Sequence, residues 1–357
     1  MYKAIRTGAV AVPAAIILAL GASGGSISAS TGAADPATPQ QASPPAAGLN
    51  ISSMPALVDP DADLRPQVGT QNDSWYNVAH LEAGGHQYGS VIHYLQSNSA
   101  GLSISDVSLV DEATGWHTKS ELKLGPGEGL SDSGGVSIHT DNITWTGNAM
   151  EMEVLAVVPE GTMDLTLRPT GPVLYNMGTG YFPLFDKDQY PQVEYAFPTM
   201  TTTGSLTLNG RTDEVTGLTW FDRQWGPQPA SLSTGKASWT WMDLNLSNGD
   251  RLSLWDTIDT SELAWATVLH PDGSQTIVEV TPVAEGASDV WTSPATGNQY
   301  PTHWAITIPS LNASLSVTAV TEEQEFLAPP RYEGSATVSG VYQGNDVTGY
   351  TYVELVF

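Results

Sequence analysis

The chain has 357 residues, with 12 Lys and Arg against 38 Asp and Glu, a formal net charge of −26, 11 Trp and no Cys. Without Cys there is no disulfide scaffold, thiolate metal site, cysteine nucleophile or lipidated cysteine, and the acidity makes nucleic acid and anionic membrane surfaces poor partners. Charged residues are only 14% of the chain while Trp and Tyr are plentiful, the balance of a globular protein with an acidic surface.

Residues 1–29 read as a cleaved export signal: Lys3 and Arg6, an apolar stretch from Ala9 to Leu20, then small residues ending near Ser28 and Ala29. The stretch contains Pro13 and falls short of the roughly 20 residues a spanning helix needs, so the sequence predicts secretion without stable membrane insertion. Residues 30–66 are rich in Ala, Pro, Ser, Thr and Gly and are expected to form a disordered linker.

From Trp75 onward, short alternating runs separated by Gly, Asn, Asp and Pro predict antiparallel strands and turns, with almost no helix signal. WYNVAHL and YGSVIHYL flank Gly84-Gly85, SWTWMDLNL and RLSLWDTI flank Asn248-Gly249, and ELAWATVLH and SQTIVEV flank Asp272-Gly273, three hairpin signals. ATVSGVY leads through GNDVTG into YTYVELVF. Strands over about 290 residues exceed one small barrel and suit two. The cut falls in WGPQPASLSTGK, which predicts an N-terminal domain over 67–228 and a C-terminal one over 229–357.

The seven histidines contain no metal-spaced pair, and no Gly-rich loop precedes a helix, so neither a metal nor another cofactor is indicated. There is no GxSxG elbow for serine chemistry. His80 and His93 sit in the two arms of the first hairpin. They are either strand histidines making ordinary hydrogen bonds or a ligand-facing pair, depending on register. The densest feature runs from Val215 to Asp259 and holds Trp220, Trp225, Trp239, Trp241 and Trp255 with Arg223 and Arg251. One reading makes Trp225 and Arg223 part of a domain junction; the other makes them a site.

GTGYFPLF, EYAFPTMTTTGSLTLNG, VTGLTWFDRQWG, the W-x-W strand, NGDRLSLWD and the closing RYEGSATVSG and GYTYVELVF together resemble the AttH and carotenoid 1,2-hydratase (hydroxyneurosporene synthase) family over Trp75 to Phe357. The resemblance implies an all-β fold of two packed, lipocalin-like antiparallel barrels. It also implies addition of water to an isolated double bond of an isoprenoid or prenylated substrate in a hydrophobic pocket. The family's Asp-His-Glu-Trp-Gly type motif falls on Asp222, Arg223, Gln224 and Trp225, with Arg and Gln standing where the family has His and Glu. Because Arg does not exchange its proton near neutrality, the acid is expected from Asp222, Asp256 or Asp259, or from His80 or His93. The candidate catalytic residues are thus Asp222, Arg223, Trp225 and Asp256, and the candidate substrate-binding residues Tyr76, His80, His93, Trp241 and Trp255. Two other functions fit the same sequence: a binder of a hydrophobic small molecule that has lost the acid, and a pericyclase or isomerase of a polyene, which needs no proton donor.

Overall fold

A computed structural model describes residues 48–185, 191–228 and 235–357. The predicted export signal and residues 30–47 of the predicted linker lie outside the described residues. Residues 48–66, expected to belong to that disordered linker, are packed instead. Leu49–Asn50 pairs with Thr276 and Ile277, Ile51 is buried, and Leu64 is fully enclosed in the N-terminal core. Ile51, Val58 and Leu64 supply the apolar anchors that the flanking Pro and Ala tracts lack.

The described residues form two antiparallel sheets and no α-helix, and no helix among them is long and apolar enough to cross a membrane. In the first sheet, Asn72–Ala83 is paired with His86–Ser97 on one side and Arg211–Gly226 on the other. In the second, Ser238–Leu246 lies between Arg251–Ile258 and Asn345–Val356. Each sheet is therefore a meander whose first and last long strands pair, a ring opened at one seam. In the N-terminal sheet the seam falls between His117–Leu124 and Val136–His139, in the other between Gln275–Glu279 and Ala287–Thr292. The right-handed twist curls each into a half-barrel. At the N-terminal seam the Asn142 amide donates to the carbonyls of Ser105 and Ser120 (2.9 and 3.2 Å), so a side chain takes the place of the missing ladder.

The predicted hairpins are present, with Gly84 and Gly85 both at positive φ, Gly249 at 96° and Gly273 at 84°. One turn sits elsewhere than in the sequence reading. In the last hairpin the tight turn is Gln343-Gly344, both at positive φ, and Asn345 onward is already strand.

Strand parity sorts the cores. In Ser238–Leu246, Met242, Leu244 and Leu246 enter the C-terminal core, while Trp239 and Trp241 face the other sheet. In Asn72–Ala83, Trp75, Ala79 and Leu81 enter the N-terminal core, while Tyr76 and Val78 face outward. The two outward faces pack on each other around a third cluster that includes Tyr76, Phe182, Trp220, Trp241, Trp255 and Trp265. The central strands are thus buried on both faces.

Candidate active site

Register assembles the site. Trp265, Trp255, Trp241, Glu354 and Glu333 are successive cross-strand partners, so they form one transverse row on the interface face of the C-terminal sheet. Facing it, Asp106, His93, Tyr76, Asp222 and Ala196 form the corresponding row of the N-terminal sheet. The rows meet at Tyr76, whose ring stands edge-on to Trp241 at 5.6 Å and whose hydroxyl donates to Glu333 Oε2. Between them lies a cleft that opens to solvent. Its walls combine Trp239, Trp241, Trp255, Leu95 and Leu184 with the carboxyls of Glu194, Asp222 and Glu354, and the amides Asn72, Gln192, Gln224 and Gln228.

The carboxyls are the unusual component, because three acids in a buried aromatic cleft have no cation bonded to them among the described residues. Burial and then the neighbouring Glu194 carboxyl raise Asp222 well above the carboxylate range, against a 2.7 Å hydrogen bond donated by the Trp220 indole to Oδ1. Burial pushes Glu194 up to about 8, although Asn176 and Ser253 donate to its Oε1 at 3.4 Å each. Its Oε2 has no hydrogen-bond partner among the described residues. Burial, with Glu333 across the ladder, pushes Glu354 up to about 8. Burial thus favours the protonated form of all three, the form in which a carboxyl in a low-dielectric wall can donate a proton.

Of the sequence-predicted residues, Tyr76, His93, Asp222, Trp225, Trp241 and Trp255 line this cleft. His93 is buried, hydrogen-bonded to Ser74 at 3.0 Å, and edge-on to Tyr76. Burial and then Arg331 push it well below the ordinary histidine value, so it stands neutral.

Four candidates are placed elsewhere. Arg223 follows Asp222 on the pleat and therefore points the opposite way, into the N-terminal core, where it is fully buried. There it pairs with Asp73 (2.5 Å), donates to the carbonyls of Asp63, Arg65, Ser74 and Gln224, and lies 3.9 Å from the Trp75 ring centroid and 5.0 Å from that of Trp225. It holds the 63–65 segment against the barrel and does not reach the cleft. Asp256 follows Trp255 on its strand and turns to the inner face, where its carboxylate accepts from the backbone N–H groups of Val283 (2.7 Å) and Ala284 (3.3 Å). Asp259 lies beyond the end of the same strand. His80 does share the interface face with His93, but it pairs with Gly89 whereas His93 pairs with Tyr76. Four residues along the ladder separate them, about 13 Å. His80 binds Glu112 at 2.7 Å and stacks near Tyr350.

The sequence reading missed Glu194, Glu354, Glu333 and Trp239 as parts of the site. All four lie in segments quoted for the resemblance but given no role there: Glu194 opens EYAFPTM, Trp239 begins the W-x-W strand, and Glu333 and Glu354 lie in RYEG and YTYVE.

The AttH-like family profile matches residues 55–356. The chain is 30% identical over 334 residues to dehydratase asqC of Emericella nidulans, an alignment covering 85% of this chain and 90% of that protein. It is 25% identical over 317 residues to kievitone hydratase of Fusarium solani subsp. phaseoli, covering 82% and 84% respectively. The crystal structure of kievitone hydratase from Nectria haematococca superposes with a TM-score of 0.73 at 23% identity, over 88% of this chain and 97% of that one, which is a likeness of fold.

Proposed function

The chain belongs to the AttH-like family, and on that premise we propose that it is a hydro-lyase that adds water to an isolated C=C bond of a prenylated or isoprenoid small molecule, or forms that bond by removing water from the corresponding alcohol. The observation that carries this reading is the set of buried carboxyls, with no cation bonded to them among the described residues, in a tryptophan-lined cleft between the sheets. The names of two relatives, a dehydratase and a hydratase, support the reaction class.

In the hydration direction a carboxyl of the set Asp222, Glu194 and Glu354 transfers its proton to the less substituted alkene carbon, leaving a tertiary carbocation and a carboxylate. The ring faces of Trp239, Trp241 and Trp255 stabilise the cation through their quadrupoles. A water molecule then bonds to the cationic carbon, and the proton it sheds returns to the carboxylate, so the enzyme ends as it began. Dehydration is the same path reversed. The apolar walls receive the hydrocarbon arm, and the amides Asn72, Gln192, Gln224 and Gln228 offer hydrogen bonds to a polar head. Export by residues 1–29 would place this chemistry outside the cell.

The test is incubation with a panel of prenylated phenols, terpenoid alkenes and their tertiary alcohols, read by mass spectrometry. A gain or loss of one water, abolished in Asp222→Asn, Glu194→Gln or Glu354→Gln, is the expected result. Stoichiometric binding with no mass change in any panel member would replace the enzyme with a carrier of hydrophobic ligands.

A further inference from the structure

The cleft's acids are not equivalent, and the difference lies in where the one buried cation beside them spends its hydrogen bonds. Arg331 is 4% exposed and sits on Pro330–Tyr342, two residues before Glu333 and on the same face. Its Nε donates to Glu333 Oε1 at 2.7 Å, its Nη2 donates to Asp106 Oδ2 of the opposite sheet at 2.6 Å, and its Nη1 approaches the Pro329 carbonyl. Glu333 Oε2 accepts from the Tyr76 hydroxyl. Both oxygens of Glu333 therefore accept from donors, one of them the guanidinium, and this favours its ionised form against the burial that pushes it up. Glu354 lies directly across the ladder from Glu333. It receives only the Trp239 indole N–H, at 2.9 Å on Oε2, and nothing from Arg331.

We infer that Arg331 is a positioning residue for Glu354: with Asp106 it fixes Glu333 as a carboxylate, and that carboxylate holds Glu354 as the protonated acid of the cleft. The inference deepens the hydro-lyase reading and rests on it for the catalytic use of the proton. Two carboxylates on one guanidinium already leave the Asp106, Arg331 and Glu333 group with one net negative charge. A second unscreened negative charge one strand away, within about 5 Å, is then unfavourable. The other groups facing Glu354 do not relieve this. From the opposite sheet come Tyr76, Glu194 and Asp222, with neutral His93 behind Tyr76, and Trp239, Trp241 and Asp243 come from the adjoining strand. None of them adds a positive charge. Burial first and Glu333 second push Glu354 upward, and the Trp239 hydrogen bond and the more distant charge of Arg331 offset them only in part, in agreement with the geometry.

The experiment is infrared spectroscopy of the protonated-carboxyl C=O stretch in the ligand-free full chain, followed from about pH 5 to about pH 10. A component persisting through neutrality in the parent protein and missing in Glu354→Gln is expected. In Glu333→Gln, which keeps the side-chain volume and the Tyr76 contact, the midpoint of that component should fall by about one pH unit or more. Arg331→Met should move it in the same direction, because Glu333 then takes up the proton; if that variant does not fold, Glu333→Gln carries the test. A spectrum at neutral pH indifferent to Glu354→Gln, or a midpoint unmoved by Glu333→Gln, overturns the inference. Because this readout needs no substrate, the expected shifts in a protein that hydrates nothing would sink the hydro-lyase reading alone. Turnover whose alkaline limb ignores Glu333→Gln would sink the inference alone.

Discussion

Arg223→Met separates an architectural from a chemical role at the position where the family motif has histidine. The change deletes the only cation paired with Asp73 among the described residues, an acid that is 1% exposed, and four hydrogen bonds to the carbonyls of Asp63, Arg65, Ser74 and Gln224. Breaking a buried ion pair by removing one partner costs about 3–5 kcal/mol. The cation–π contact with Trp75 at 3.9 Å contributes up to about 2 kcal/mol more where it is desolvated. Methionine recovers part of the packing but no hydrogen bond, so the net loss should be at least about 4 kcal/mol, a large share of the 5–15 kcal/mol typical of a whole domain. Urea unfolding followed by tryptophan fluorescence should show a midpoint lowered by more than about 1 M. The loss should also depend on pH. Without Arg223, the Gln67 backbone hydrogen bond still opposes burial but the guanidinium no longer does, so Asp73 rises further, folding favours its protonated form and the destabilisation is smaller at pH 5 than at pH 8. Turnover per folded molecule should stay within a few-fold of the parent. An unfolding midpoint unchanged from the parent, with turnover abolished, would refute this reasoning and return Arg223 to the chemistry.

Glu194→Gln should raise the melting temperature at pH 8 and leave it nearly unchanged at pH 4. The folded protein holds this proton up to about pH 8 whereas the unfolded chain releases it near its ordinary value, so the parent loses stability as pH rises through that window and the glutamine variant does not. Calorimetry at the two pH values checks the sign. Asp256→Asn should lower stability by about 1 kcal/mol, through weaker hydrogen bonds to Val283 and Ala284. Its turnover should stay within about twofold in a steady-state assay, since this carboxylate turns away from the cleft.

What was legible locally was legible because it is periodic. Alternation in SWTWMDLNL and RLSLWDTI predicts two-sided strands, Gly84-Gly85 and Asn248-Gly249 predict their turns, and a family motif marks Asp222 and Trp225. Periodicity also predicts that neighbours on a strand part company. Arg223 could not share the cleft with Asp222, nor Asp256 with Trp255, once both faces of each strand were buried. The motif spacing was read without that parity, and both assignments went to the wrong face.

The local hairpins, the acidic and aromatic composition and the family membership of this chain follow from its sequence alone, since each rests on contacts within a hairpin or on similarity along the chain. The site does not. Glu194, Asp222, Glu354 and Glu333 stand far apart in sequence and meet because two ladders set their register and two sheets then pack face to face. An acid becomes a neutral proton donor only through what surrounds it. Burial beside Trp239 and Trp241, a carboxylate across the ladder and a guanidinium bonded elsewhere are tertiary facts, and they alone distinguish these carboxyls among the 38 acidic residues.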